Sequence, residues 1–454
     1  MNTLHVDLDL VRKYNVSVPR YTSYPPATCF TEISAEDVLE CIRADSQSIQ
    51  DLSLYFHLPF CHSLCWFCGC TTVITTKPGA GSKYLDYLHR EITLMAKVIN
   101  PDRKVAQLHF GGGTPTFLAP DEIRRLGQFI RSHFTYAQDI EAGVEIDPRR
   151  VVRDHVTALR ESGFNRASLG VQDFNLEVQK AIHRLQSKTE TEKTVEWLRE
   201  DGFDSLNIDL IYGLPHQTVA SFEQTLNHVI ELNPDRLAVF NYAHVPWLKP
   251  AQNILKRLPT PEVKLEMLKQ TIEQLTSSGY VYIGMDHFAR HDDELAVAQR
   301  NKTLQRNFQG YSTCGEIDIY AFGMSSISQT DGAYWQNQKD LAKYYGALDL
   351  NQVPISRGHV LNNDDKIRRR VIMRLMCDMS MDFDSLSALT GIDFTSYFSD
   401  ELGSLSDLEA DGLIAINESG LIVTELGRLL IRNIAVRFDA YSAKRQESAF
   451  SKSI

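Results

Sequence analysis

From residue 52 onward the chain switches repeatedly between strand-like and helix-like runs, and this alternation limits the folds open to it. LSLYFHL (52–58), VAQLHF (105–110), AGVEID (142–147), RASLGVQ (166–172), SLNIDLIYG (205–213) and DRLAVFNYA (235–243) read as short strands. Between them, KYLDYLHREITLMAKVI (83–99) places Leu85, Leu88, Ile92 and Met95 at helical spacing. DEIRRLGQFIRSHF (121–134) is a second helical run, and VVRDHVTALRESG (151–163) is a third, stopped by Gly163. YVYIGMDHF (280–288) reads as one more strand. Strands alternating with helices predict parallel β/α units. Six or seven units are too few for a closed eight-fold barrel, so an α/β fold with a partial, open parallel β/α barrel is expected. An open doubly wound sheet fits the same pattern. In either architecture the functional loops lie at the carboxyl ends of the strands.

The flanks differ from this middle. Residues 1–50 form an arm containing SVPRYTSYPPA (17–27), whose prolines and tyrosines suggest an extended segment lying on something else. After about residue 350 the pattern becomes mainly helical, with LIAINESGLIV (413–423) as a small hairpin, an arrangement resembling a winged helix. The expected division is therefore an arm (1–50), a partial barrel (51–350) and a mainly helical C-terminal domain (351–454). A nucleic-acid role is not expected. The basic run Lys366 to Arg370 directly follows Asp364 and Asp365, and the whole chain carries a formal net charge of −11. No stretch approaches the roughly 18 apolar residues of a membrane span. The N-terminal residues mix charges early and lack an apolar signal core, so a cytoplasmic protein is expected.

The loop after the first strand, HLPFCHSLCWFCGC (57–70), holds four of the chain's eight cysteines. Cys29, Cys41, Cys314 and Cys377 are scattered, as small buried hydrophobes are. Cys61, Cys65 and Cys68 have the spacing C-x3-C-x2-C, with Cys70 two residues further on. Four thiolates can make a tetrahedral zinc site, although structural zinc usually takes two separated C-x2-C knuckles. Three close thiolates suit three corners of a [4Fe–4S] cube, leaving one iron open. Phe60, Trp66 and Phe67 would give such a cluster an apolar wall.

This loop, following a first strand and followed by β/α units, resembles the radical S-adenosylmethionine (SAM) superfamily. Further motifs narrow the likeness: RYTSYP (20–25), LHFGGGTPT (108–116), EIDPR (145–149), GVQDFN (170–175), NIDLIYGLP (207–215), VFNYAHVP (239–246), GMDHFA (284–289) and RNFQGY (306–311). In this order they resemble the family of oxygen-independent coproporphyrinogen III oxidases, over nearly the whole chain. The resemblance implies a [4Fe–4S] cluster on Cys61, Cys65 and Cys68, whose open iron takes SAM, with Cys70 beside the cluster and not a ligand. By itself GGGTPT (111–116) reads as a tight turn whose glycines allow close approach and whose amides can donate to a negative group. The family reading places Gly112, Gly113 and Thr114 at the amino-acid end of SAM. It also places Tyr55, Phe67, Glu145, Gln172, Arg184, Asp209, Ala243 and Ile327 around SAM, and Gln309 with Ile327 where a second SAM would lie. Lone carboxylates at strand ends are otherwise commonly caps or loop contacts. The stretch STCGEIDIYAFG (312–323) departs from the family pattern at Cys314, where a polar residue fits better.

The activity implied is the oxidative decarboxylation of coproporphyrinogen III to protoporphyrinogen IX, in which the propionates of rings A and B become vinyls. A 5′-deoxyadenosyl radical abstracts hydrogen from the propionate, and an unidentified donor and acceptor handle the electrons. Tyr55, His57, Cys70 and Gln309 are the expected catalytic residues. The four propionates call for cations and donors, and Arg20, Tyr21, His57 and His287 are candidates for that side. A monomer is expected, with no membrane partner. The rival reading is a haem-binding chaperone on the same scaffold; a more distant one is a zinc-stabilised binding protein.

Overall fold

The computed structural model describes residues 8–44, 47–315, 317–442 and 452. Its centre is a 13-stranded sheet. Strands β1 (Leu52–Leu58), β2 (Lys104–Gly112), β3 (Thr135–Ile146), β4 (Arg166–Gln172), β5 (Ser205–Tyr212) and β6 (Arg236–Asn241) lie side by side in chain order, each parallel to the next. They are joined by helices α1 (Ala80–Ala96), α2 (Pro120–His133), α3 (Arg153–Glu161), α4 (Lys188–Glu200) and α5 (Val219–Leu232), and α6 (Pro261–Ser277) follows β6.

The run 280–288 is not a single strand. It divides into β7 (Tyr280–Gly284) and β8 (His287–Arg290), an antiparallel pair, with β8 also antiparallel to β6. The turn is made by Gly284 at φ 150° and Met285 at φ 50°, without an Asn-Gly or Asp-Gly signature. On the other side of β1, β9 (Asp318–Phe322) is parallel to it. The sheet then continues antiparallel through β10 (Ile327–Gln329), β11 (Ala333–Asn337) and β12 (Ile355–Val360), past residue 350. The two edge strands, β7 and the short Thr31–Glu32, do not pair with each other among the described residues, so the sheet is open.

Side chains alternate across a strand, and here the two faces differ in chemistry. Leu54, Phe56, Leu108, Phe110, Val144, Leu169, Ile208 and Val239 belong to one continuous apolar core with residues of α1 to α6. On the opposite face Tyr55, His57, Gln107, His109, Glu145, Ser168, Asn207, Asp209 and Phe240 line a cavity. A doubly wound sheet would carry helices on both faces. A sheet with one apolar outer face and one polar face around a cavity is a partial barrel.

A second apolar core gathers α7 (Asn363–Asp378), the helices after it and a three-stranded sheet of Ser380–Asp382, Ile414–Asn417 and Gly420–Val423. The arm reaches into this core. Tyr14, Tyr21 and Tyr24 are buried there, the Tyr21 hydroxyl donates to Asp439 at 3.0 Å, and Tyr24 accepts from the Ala440 amide at 3.1 Å. No helix among the described residues is long and apolar enough to cross a membrane.

Candidate active site

The cysteine loop leaves β1 at the carboxyl end of the parallel strands and is fastened at several points. Phe60–Cys61 pairs with Val73–Ile74, and the Cys68 amide donates to Cys65 O at 3.0 Å. The Trp66 amide donates to Ile182 O at 3.0 Å, and its ring stacks on His183 with centroids 5.0 Å apart. His183 Nδ1 donates to Leu64 O at 2.8 Å, and Gln252 Nε2 donates to Phe67 O at 3.0 Å. Donors also surround the sulfurs. Arg149 and Arg184 reach Cys65 Sγ at 3.5 and 3.7 Å, Thr114 Oγ1 lies 3.4 Å from Cys61 Sγ, and the Cys70 amide points at Cys68 Sγ from 3.4 Å. Burial pushes the Cys61 thiol up to about 11, whereas the hydrogen bond from Cys70 draws Cys68 down and holds Cys70 up. Among the described residues no three His, Cys, Asp or Glu side chains converge on a point where one ion could sit. Three thiols within reach of two arginines, a hydroxyl and an amide suit an iron–sulfur cluster.

The glycine turn corrects the expected use of its amides. The Gly112 amide donates to Glu145 Oε2 at 3.1 Å, and those of Gly113 and Thr114 donate to Leu58 O and Phe60 O, each at 2.9 Å. All three amides are engaged within the protein, that of Gly112 on the Glu145 carboxylate and the other two on backbone carbonyls. The glycines are required by packing. A Cβ on Gly112, which has φ 108°, would lie 2.5 Å from the His57 ring, and one on Gly113 would lie 2.5 Å from the Pro59 backbone.

Beneath the loop opens a cavity of about 710 Å³. Its walls include Tyr55, His57, Cys70, Gly112, Glu145, Asp209, Gln309 and Ile327, with Cys70 exposed to it. Phe67, Gly113, Thr114, Gln172 and Arg184 are not on its walls. Arg184 forks onto Asp147 with two 3.2 Å contacts and donates to Gly170 O, and Gln172 sits beside it in the left-handed region at φ 70°. Ala243 lines a neighbouring cavity and is tied to Phe67 through Gln252, whose Nε2 reaches both carbonyls.

Glu145 lies 3.6 Å from His109 Nε2. Burial would raise its carboxyl, but His109 and the Gly112 amide together hold it below the usual range. Asp209 accepts from Asn207 Nδ2 at 2.7 Å and Ser168 Oγ at 3.1 Å, and burial with the nearby Glu145 charge pushes it up to about 7. Near neutral pH Glu145 therefore stays ionised while Asp209 is partly protonated. His57 is buried and neutral: its Nε2–H donates to Thr71 O at 2.9 Å, which leaves Nδ1 to accept from the Tyr55 hydroxyl at 3.2 Å. Its ring therefore braces the cysteine loop against Tyr55.

Of the residues expected on the substrate side, Tyr21 lies in the second core and His57 is engaged as described. His287 lines the cavity, is pushed down to about 4 by burial, and keeps Nδ1 without a partner; Gln309 Nε2 is likewise buried and unpartnered. Cys314 is a half-buried thiol whose amide donates to Ser312 Oγ. The sequence reading passed over His109, Asp147, Arg149 and Gln252. The first three stand inside the quoted motifs LHFGGGTPT and EIDPR; Gln252 has no local signal.

Comparison with known proteins agrees with this geometry. Residues 55–229 match the radical SAM superfamily, and residues 361–430 match the HemN C-terminal domain. The chain is 46% identical over 460 residues to the oxygen-independent coproporphyrinogen III oxidase of Synechocystis sp., covering 100% of this chain and 99% of that protein. With the oxidase of the same name from Escherichia coli K12 it shares 48% over 452 residues, 99% of this chain and 98% of the relative. A solved structure of coproporphyrinogen III oxidase (HemN) from Escherichia coli, described as a radical SAM enzyme, superposes with a TM-score of 0.92 at 46% identity, covering 97% of this chain and 100% of that one.

Proposed function

The chain belongs to the family of oxygen-independent coproporphyrinogen III oxidases within the radical SAM superfamily, and from this membership we propose how its residues carry out the oxidative decarboxylation of coproporphyrinogen III to protoporphyrinogen IX. The observation that carries the reading is the cysteine loop at the carboxyl end of β1, whose Gly69, Cys70 and Thr71 line the large cavity. Similarity over the full length to proteins named as oxidases favours the enzyme over the haem carrier.

In this reading Cys61, Cys65 and Cys68 would hold a [4Fe–4S] cluster, and SAM would bind beside it. When bound, these cofactors supply one-electron chemistry and the radical that abstracts hydrogen. The chain's own residues bind, orient and shield. With the amides of Gly112, Gly113 and Thr114 engaged, this turn offers SAM carbonyl oxygens and the Thr114 hydroxyl, a set suited to an ammonium group. Glu145, ionised, would accept from the same part of SAM, and Asp209, partly protonated, would accept from or donate to hydroxyls. Gln172, Arg184, Phe67 and Ala243 form the supporting layer, with Arg184 acting through Asp147 and Cys65. Tyr55 and His57 form the floor, Cys70 faces the reacting region, and Gln309 with Ile327 lines the place of a second SAM. The cavity walls exclude water from the radical.

The expected boundary at 350 moves to about 360, where β12 ends: the sheet up to there, with Thr31–Glu32 of the arm at its edge, carries the chemistry, and the mainly helical region after it packs beside it. The enzyme works in the cytoplasm as a monomer, and an external donor and acceptor exchange its electrons. The test is anaerobic reconstitution with iron and sulfide, then incubation with coproporphyrinogen III, SAM and a reductant. Release of CO2 with 5′-deoxyadenosine is expected; haem binding without decarboxylation would overturn the reading.

A further inference from the structure

A second cavity, of about 350 Å³, lies beside the first, where the arm, α6, the β7–β8 turn and the C-terminal domain meet. Among the described residues its walls carry Arg20, Lys264, Arg432 and Lys452 but only one carboxylate, Asp286, in a chain whose net charge is −11. Arg20 pairs with Asp286. Arg432, 6% exposed, has no carboxylate partner among the described residues and donates to Val18 O at 3.1 Å and Lys452 O at 2.6 Å. Just behind, Arg306 is also 6% exposed, donates to Arg20 O at 3.3 Å, and leaves Nε and Nη1 buried without partners.

Burying cations without counter-charges is costly. Fastening the arm accounts in part for Arg432 and Arg306, which donate to arm carbonyls. It does not account for Lys264, which burial and Lys452 push down to about 8 with no acidic side chain to oppose them. Arg432 is likewise pushed down to about 9, by burial and then by Arg20. An anion entering this cavity would relieve both. Tyr212, Tyr282 and Trp247 supply aromatic wall beside the cations.

Only a thin layer separates the two cavities. Asn241 and Asp286 face the smaller one, and their chain neighbours Phe240 and His287 face the larger. The Arg20 guanidinium lies 5.9 Å from the Phe240 ring centroid. The larger cavity, at about 710 Å³, is the size of a single drug-sized ligand site, roughly 300–1,000 Å³, and must accommodate SAM as well as a tetrapyrrole.

We propose that the smaller cavity is a carboxylate-binding site in which Lys264, Arg20 and Arg432 hold the propionates that the reaction leaves intact, so that those to be lost project past the Arg20–Asp286 pair into the larger cavity. This deepens the coproporphyrinogen reading and rests on it.

Binding, separate from turnover, tests it. Dissociation constants for coproporphyrinogen III and protoporphyrinogen IX are measured anaerobically by equilibrium dialysis on the reconstituted protein and on Lys264→Gln, Lys264→Glu and Lys264→Arg. Protoporphyrinogen IX retains only the propionates assigned to this site. Lys264→Gln is expected to weaken both ligands about tenfold, Lys264→Glu further, and Lys264→Arg to restore them, with iron content and SAM affinity unchanged. Wild-type affinity for both in Lys264→Glu overturns the proposal. So does a parallel loss of SAM affinity, which would give the site to the SAM carboxylate. Failure of the wild type to bind either porphyrinogen overturns it as well. A wild type that binds both but releases no CO2 overturns the activity reading and leaves the carboxylate site standing.

Discussion

Cys70 is two residues from Cys68, yet the loop gives the two sulfurs different surroundings. Cys68 accepts from the Cys70 amide, while Cys70 is exposed to the large cavity. Replacing Cys61, Cys65 or Cys68 by Ala is therefore expected to abolish cluster assembly. Cys70→Ser should retain full iron on analysis after reconstitution while lowering turnover. Gly113 faces a steric limit: a Cβ there meets Pro59 backbone at 2.5 Å, and backbone cannot swing aside as a side chain can. Gly113→Ala should cost about 1–3 kcal/mol of stability and reduce iron retention, read together by thermal unfolding and iron content. These glycines were legible as a tight turn. That their amides serve the protein was not, because the partners Leu58, Phe60 and Glu145 come from a different strand or its loop. Gln252 was invisible for a related reason: one side chain on a separate loop joins Phe67 and Ala243, and only the folded chain brings those carbonyls together.

Helix α1 carries a carboxyl in the middle of its apolar face. Glu91 is 2% exposed and accepts from Tyr344 at 2.6 Å, Gly323 at 2.8 Å and Asn337 at 2.6 Å, tying the helix to the segment around β10 and β11. Burial nonetheless raises its pKa from 4.5 to about 7. A raised folded pKa gives stability that is complete below the unfolded value and is lost as pH rises through the folded one. The contribution of Glu91 to unfolding free energy should thus fall by about 3 kcal/mol between pH 4.5 and about 7. Glu91→Gln should be less stable at low pH and show a slope smaller by that amount over the window, as urea unfolding at several pH values would show, with Asp209 supplying a slope of its own. Elements such as β1 and β4 were readable to the residue because an apolar outer face and a bounded length leave little choice. The β7–β8 turn was not, since Met285 takes a left-handed conformation that nothing in YVYIGMDHF announces. The antiparallel strands β10 to β12 also passed unread, being short and set among polar residues.

Across the whole molecule, the arm joins the two ends of the chain. Tyr24 is fully buried at 0% exposure in the C-terminal core, although it lies far from that core in sequence. Tyr24→Ala should cost about 3–5 kcal/mol and make the C-terminal region the first to be cut in limited proteolysis. That the arm lies on something could be inferred from its prolines and tyrosines; its docking site could not, because the contacts span the chain. The ties on the cysteine loop act on the same scale, since they run to Ile182, His183 and Gln252 on separate crossover segments. Ties of this number predict a loop that takes its shape as the chain folds, with metal delivery a late step. Far-UV circular dichroism should then be the same before and after loading, and an apoprotein damaged by oxygen should be repairable without passing through the unfolded chain.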